Sequence, residues 1–118
     1  VDLELRGLLP PEEVAAWYLK SKYVVVPSRR EGFGLVAAEA AASSRAVIGS
    51  RVGGIPDLID DGVSGLLVPP DNVLELAAAL QKIDASWGLA GKEMAVGMTS
   101  KKHGEVLGDL YLRNSKDL

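Results

Sequence analysis

Two glutamates, Glu31 and Glu39, bracket the run Gly32-Phe33-Gly34-Leu35-Val36-Ala37-Ala38. A β-branched stretch, Tyr23-Val24-Val25-Val26, precedes them and stops at Pro27. It reads as a strand buried on both faces of a parallel sheet. After a Gly-containing loop, an Ala-rich helix begins near Gly34. In an open parallel sheet, ligands bind beyond the carboxyl ends of the strands, where loops meet helix N-termini. The amides of Gly34, Leu35 and Val36 fall at that point, without acceptors inside the helix and with the helix dipole adding positive potential. Gly32 and Gly34 carry no Cβ to hold a ligand off the backbone. A phosphate or diphosphate suits this place. The spacing G-x-G-x-x-G is absent, so this is not the dinucleotide-binding fingerprint.

The carboxylates bring a second chemistry. Glu31 lies in the loop, where its side chain can reach a ligand over the strand ends. Glu39 lies one turn beyond Leu35 and can face the same crevice. Carboxylates do not bind phosphates, but they accept from pairs of sugar hydroxyls. An anion-binding loop between two hydroxyl acceptors suits a nucleotide-diphosphate sugar, with ribose at one end and hexose at the other. Each glutamate taken alone reads more simply as a solvated charge.

The elements that would position this segment follow from periodicity. Val1, Leu3 and Leu5 alternate with Asp2, Glu4 and Arg6, the pattern of a half-buried strand ended by Gly7. Pro10-Pro11-Glu12-Glu13 opens a helix, on which Val14, Trp17 and Tyr18 share a face and assign Trp17 to the core. Ala46-Val47-Ile48 and Leu66-Leu67-Val68 repeat the buried-strand pattern. Strand and helix recurring in this way predict an α/β layer fold with parallel strands and crossover helices. Further on, Asp71 reads as an N-cap, and Val73, Leu76, Ala77 and Leu80 form an apolar stripe through Ile83. Gly88, Gly91 and Gly97 punctuate a looser stretch around Trp87, and Val106, Leu107, Leu110 and Tyr111 suggest a last helix. His103, the only histidine, reads as a solvated turn residue rather than a catalytic one.

Composition bounds the rest. A length of 118 residues suits one domain. Hydrophobic residues at 47% and charged residues at 25% describe an ordinary globular mix and exclude a disordered tail or a coiled-coil rod. A net charge of -3 argues against nucleic-acid binding. Without cysteine there is no disulfide framework, thiolate nucleophile or zinc cluster. The aromatic share of 5% argues against a stacking surface for sugars or bases. No basic apolar segment resembles a signal peptide, and the small-apolar stretch at residues 35–42, broken by Glu39, is far too short to span a bilayer. The expectation is a cytoplasmic piece of a larger protein.

The segment from Glu31 to Glu39 resembles the E-x7-E motif of the family 4 retaining glycosyltransferases, which have the GT-B fold. Val24-Val25-Val26-Pro27-Ser28 is similar to the strand entering that motif, and Ala46-Val47-Ile48-Gly49-Ser50 to the strand after it. Arg51-Val52-Gly53-Gly54-Ile55-Pro56-Asp57 resembles the family's Gly-Gly-x-Pro-Glu segment. Asp61-Gly62-Val63-Ser64-Gly65-Leu66-Leu67-Val68 resembles its Asp-Gly-x-x-Gly-hydrophobic run. The likeness covers residues 5–83 in order.

The resemblance implies a Rossmann-like parallel sheet with flanking helices, a truncated GT-B C-terminal domain. Residues 1–118 would supply strands three to six and the C-terminal helices of a donor-binding domain whose N-terminal acceptor domain is absent. The implied reaction moves a hexose from a UDP-, GDP- or ADP-sugar to an acceptor with retention, requiring no metal and no cofactor besides the donor. By the same resemblance, Glu39 would bind the ribose hydroxyls and the amides of Gly34, Leu35 and Val36 the diphosphate. Glu31, Gly32 and Phe33 would contact the hexose, and whether Glu31 also takes part in the catalytic step is left open. The chain departs from the family at Ser44 and Ala46, where Gly and Pro are usual in the helix-to-strand turn, at Asp57, where Glu is common, and around residues 99–102, where the usual aromatics are missing.

In the doubly wound order 3-2-1-4-5-6, strands three and four are not neighbours. Residues 1–6 are therefore expected to pair directly with the strand at residues 23–26, or two copies to complete each other's sheet as a homodimer. The basic residues that grip the diphosphate in the family come from the absent part. Losing two such contacts, at about 1.5–3 kcal/mol each, lowers affinity about a hundred- to ten-thousandfold. The isolated chain is expected to be inactive, and peripheral membrane contact of the full-length protein is compatible with this reading. The rival is a non-catalytic nucleotide-sugar-binding or scaffold module.

Overall fold

The computed structural model describes residues 3–99. Helix α1 (Pro11–Lys20) begins where Pro11 sets the first turn; Glu12 and Glu13 lie at its positive end and Lys20 at its negative one. Strand β1 (Tyr23–Val26), helix α2 (Leu35–Ala42), strand β2 (Ala46–Ser50), short helix α3 (Ile55–Leu58) and strand β3 (Gly65–Val68) follow. Helix α4 (Val73–Lys82), a 3-10 turn at Ala85–Trp87 and helix α5 (Gly88–Thr99) complete the described fold. The strands form one parallel sheet in the order β1-β2-β3. Tyr23 pairs with Ala46 and Val26 with Gly49, while Val47 pairs with Gly65 and Ser50 with Val68. This is the Rossmann-like α/β architecture, with three adjacent parallel strands and helices on both faces.

The sheet buries both faces, and all five residues of β2 are buried. On one face, Val47 packs with Tyr18, Ala37, Ala38, Ile55 and Leu58. On the other, Ile48 packs with Val68 and Ala79, flanked by Leu76 and Ile83. Helix α2 touches the sheet and also α5, so it needs small side chains on more than one face. Its five alanines at positions 37, 38, 40, 41 and 42 are all buried. The Ala-rich composition is thus the requirement of a helix held between two layers.

Several expectations give way to tertiary context. Residues 3–6 form no strand and do not pair with β1; Leu3 and Leu5 are exposed at 81% and 90%. An alternating pattern makes a strand only where a partner edge is in reach. Trp17 is not core. It is 37% exposed, with the Arg6 guanidinium 4.7 Å and the Lys20 ammonium 5.1 Å from its ring centroid. Ala15 and Tyr18 occupy the inward face of α1 instead. The α4 cap is Asn72, whose side chain accepts from the Glu75 amide, rather than Asp71. Val73 and Leu80 are exposed, and the inward line of α4 runs through Leu76, Ala79 and Ile83.

The stretch beginning at Gly88 is a helix rather than a loose segment, because packing outweighs glycine's weak propensity. Gly91 lies buried beside Ala41 and Ser64, so α5 comes close to α2. The turn after α2 is closed by Ser44 rather than by a glycine. Ser44 takes the left-handed conformation at φ 60°. The Ser44 amide donates to Ala41 and the Arg45 amide to Ala40, the Schellman pattern. Arg45 then donates through Nε to the Tyr18 carbonyl at 2.7 Å and through Nη2 to the Leu19 carbonyl at 3.2 Å, closing the end of α1. The expected last helix at residues 106–111 and His103 lie outside the described residues.

Candidate functional site

Pro27 ends β1, and residues 27–34 cross the carboxyl edge of the sheet to α2. Within this loop the Ser28 hydroxyl donates to Glu31 Oε2 at 3.0 Å, which fixes the half-buried carboxylate against its own loop. Gly34 stands at the N-cap with φ 77°, a left-handed conformation that turns the chain into the helix. No side chain caps α2. The Ala38 amide donates to the Gly34 carbonyl at 2.9 Å, the first α-helical bond of the element. The amides of Leu35 and Val36 precede it, in the turn that has no intrahelical acceptors. Leu35 and Val36 are partly exposed and Phe33 strongly so.

The turn after β2 supports this loop from behind. The Gly54 amide donates to the Gly32 carbonyl at 2.7 Å. A Cβ on Gly53 would overlap the Glu31 carbonyl oxygen, and one on Gly54 would stand 2.5 Å from that of Phe33. The two backbones therefore touch at van der Waals distance, and only glycine permits it. The Gly-Gly-x-Pro segment thus shapes the loop that holds Glu31, Gly32 and Phe33.

Glu39, the only charged residue of α2, is half-buried in the second turn. Tyr18 reports its field. Burial, and then the negative charge of Glu39, push the Tyr18 phenol up to about 12. Glu31, Gly32, Phe33, Gly34, Leu35 and Val36 thus form one continuous loop-to-helix segment, with Glu39 one turn further along.

An open cleft of about 340 Å³ lies beside this segment, and none of the sequence-derived site residues lines it. Its walls include Arg29 after β1, Ser50 at the end of β2, Asp71 and Asn72 after β3, and Leu76 of α4. Arg29 and Asp71 form an exposed ion pair, worth little to stability. These residues were not among the candidates read from the sequence, although ligands favour the carboxyl ends of β2 and β3 as much as that of β1. Among the described residues, no group of three or more His, Cys, Asp or Glu side chains could hold a metal ion. No helix among them is long and apolar enough to cross a membrane.

Residues 2–85 match the family of glycosyl transferases group 1. The chain belongs to this family. A D-inositol 3-phosphate glycosyltransferase from Corynebacterium kroppenstedtii is 47% identical over 74 residues, 63% of this chain and 16% of that protein. Another of that name, from Streptomyces bingchenggensis, is 40% identical over 97 residues, 82% of this chain and 21% of that one. The chain therefore spans about a fifth of the length of these relatives. The structure of sucrose-phosphate synthase from Thermosynechococcus elongatus matches with a TM-score of 0.70 and 41% identity, covering 75% of this chain and 24% of that one. The fold is that of the C-terminal part of a GT-B glycosyltransferase.

Proposed function

We propose that this chain is part of the donor-binding domain of an enzyme that moves a hexose from a nucleotide-diphosphate sugar to an acceptor with retention of configuration. The carrying observation is the loop-to-helix segment at residues 31–39, placed beyond β1 and buttressed by the backbone of Gly53 and Gly54. In this reading the amides of Gly34, Leu35 and Val36 hold the diphosphate, and Glu39 accepts from the ribose hydroxyls. Glu31, steadied by Ser28, orients the hexose with the backbone of Gly32 and Phe33. Transfer breaks the bond from the anomeric carbon to the diphosphate, makes one to the acceptor oxygen, and passes that hydroxyl's proton to the departing diphosphate. The negative charge that grows on the leaving diphosphate meets the positive end of α2, where the donors are already oriented.

The acceptor site, and the basic side chains that grip the diphosphate, are assigned to the rest of the longer protein. The chain by itself binds nucleotide weakly and does not turn over in this reading. Calorimetric titration with UDP, GDP and ADP, with Glu39→Ala as control, tests it. Saturable binding of one nucleotide, lost in the variant, supports the donor site and names the base. Binding that ignores the substitution refutes the role of Glu39 and favours a scaffold module.

A further inference from the structure

Ser50 ends β2 with a buried hydroxyl. The residue is 1% exposed, and among the described residues its Oγ has no hydrogen-bond partner. Buried polar groups are nearly always satisfied, so a lone hydroxyl in a cleft calls for a water or a ligand. Side chains alternate along a strand, which places Ser50 on the face of Ile48, packed against Ala79 of α4. Ser50 accordingly lines the open cleft between the strand ends and the start of α4.

The other walls narrow the chemistry. Arg29 and Asp71 set a donor and an acceptor side by side, with their charges cancelling. Asn72 uses its carbonyl oxygen on the Glu75 amide at 3.0 Å, which leaves the NH2 as a donor. Val68 and Leu76 supply an apolar wall. An anion would face Asp71, a cation would face Arg29, and a purely apolar ligand would leave Ser50 unsatisfied. A ring with hydroxyls around its rim and C–H bonds on its face meets all of these groups. We propose that this cleft binds a neutral polyol ring, a monosaccharide or a cyclitol, with one hydroxyl bonded to Ser50. The volume of about 340 Å³ accommodates such a ring with a few waters. This site goes beyond the donor reading, since none of residues 31–36 nor Glu39 lines it.

Amide-resolved NMR titration of the chain with glucose, with myo-inositol and with inorganic phosphate tests the proposal. Saturable shifts at Ser50, Asn72 and Leu76 are expected with at least one of the two polyols and not with phosphate. The better polyol distinguishes a monosaccharide from a cyclitol source. Ser50→Ala and Asp71→Ala should each weaken binding about fivefold, the loss of one hydrogen bond. Ser50→Ala should meanwhile leave the thermal midpoint unchanged or higher, because it removes an unsatisfied buried group. Asp71→Ala, at the exposed rim, keeps the test open if the first variant folds poorly. Glu39→Ala should leave polyol binding unchanged, so failure of the donor reading is separable from failure of this one. Shifts caused by phosphate alone overturn the proposal. So does silence with both polyols up to about 0.1 M, where a millimolar site is saturated.

Discussion

Replacing Gly54 with alanine asks whether the turn after β2 shapes the proposed donor loop. The backbone at Gly54 is ordinary, with φ -81°, so alanine meets no conformational penalty there. Restricting the unfolded chain would even contribute about 0.4–1 kcal/mol of stability. Against that, the new Cβ would stand 2.5 Å from the Phe33 carbonyl oxygen and 2.8 Å from its carbon. Ordinary contact requires the loop to retreat by about 1 Å, in a region packed at crystal-like density. Overpacking of this kind costs about 1–3 kcal/mol, and the bond from the Gly54 amide to the Gly32 carbonyl is worth about 0.5–1.5 kcal/mol more. The net expectation is a loss of about 2 kcal/mol, read as a lower urea midpoint with an unchanged slope. Gly53→Ala should cost about 1–2 kcal/mol more, because φ 53° adds the left-handed penalty for a Cβ. A loop displaced by that amount also misplaces Glu31 and the Gly34 amide, so nucleotide affinity in the folded variant should fall about tenfold or more, losing one charge-assisted contact. A Gly54→Ala protein with wild-type midpoint and wild-type nucleotide affinity would refute the coupling of turn and loop.

Three further outcomes are expected from the structure. Ser44 holds a left-handed conformation that costs a side-chain-bearing residue about 1–2 kcal/mol, so Ser44→Gly should raise the urea midpoint by roughly 0.5–1 kcal/mol of stability after glycine's entropic cost. A lower midpoint would contradict the Schellman reading of that turn. Asn72→Ala removes the α4 cap and should cost about 1 kcal/mol, measured in the same melts. Tyr18 has a folded-state pKa raised to about 12 from 10.0, so the folded state holds its proton more tightly than the unfolded chain. The phenol costs nothing below pH 10, and stability falls as pH rises towards 12 because the folded state disfavours the phenolate, which alkaline melts of wild type and Tyr18→Phe should reveal as a steeper decline in wild type.

The sequence by itself determined the elements whose signals are local. Tyr23 to Val26 and Ala46 to Ile48 read as buried strands because β-branched runs bounded by turn residues have few other uses. The donor-loop segment was legible for the same reason: a strand end, two glycines, a helix start and two carboxylates lie together within residues 26–39. Tertiary structure alone decided what depends on partners far along the chain. The alternation of Leu3 and Leu5 states a face but not where the chain carries it: β1 ends the described sheet, yet residues 3–6 do not pair with it and both leucines stay exposed. Trp17 had the right spacing for the core, yet Ala15 and Tyr18 filled the inward face of α1. Gly88 and Gly91 looked like helix breakers until packing against the turn after α2 and against Ala41 gave small residues a purpose. The function of Gly53 and Gly54 became visible only when the Glu31 and Phe33 carbonyls were seen against them, more than twenty residues away in sequence. The unsatisfied hydroxyl of Ser50 likewise exists only because three strand ends and α4 enclose it. Periodicity and composition act through a residue's own neighbours, whereas burial and close approach are set by whichever distant surface the fold brings against it.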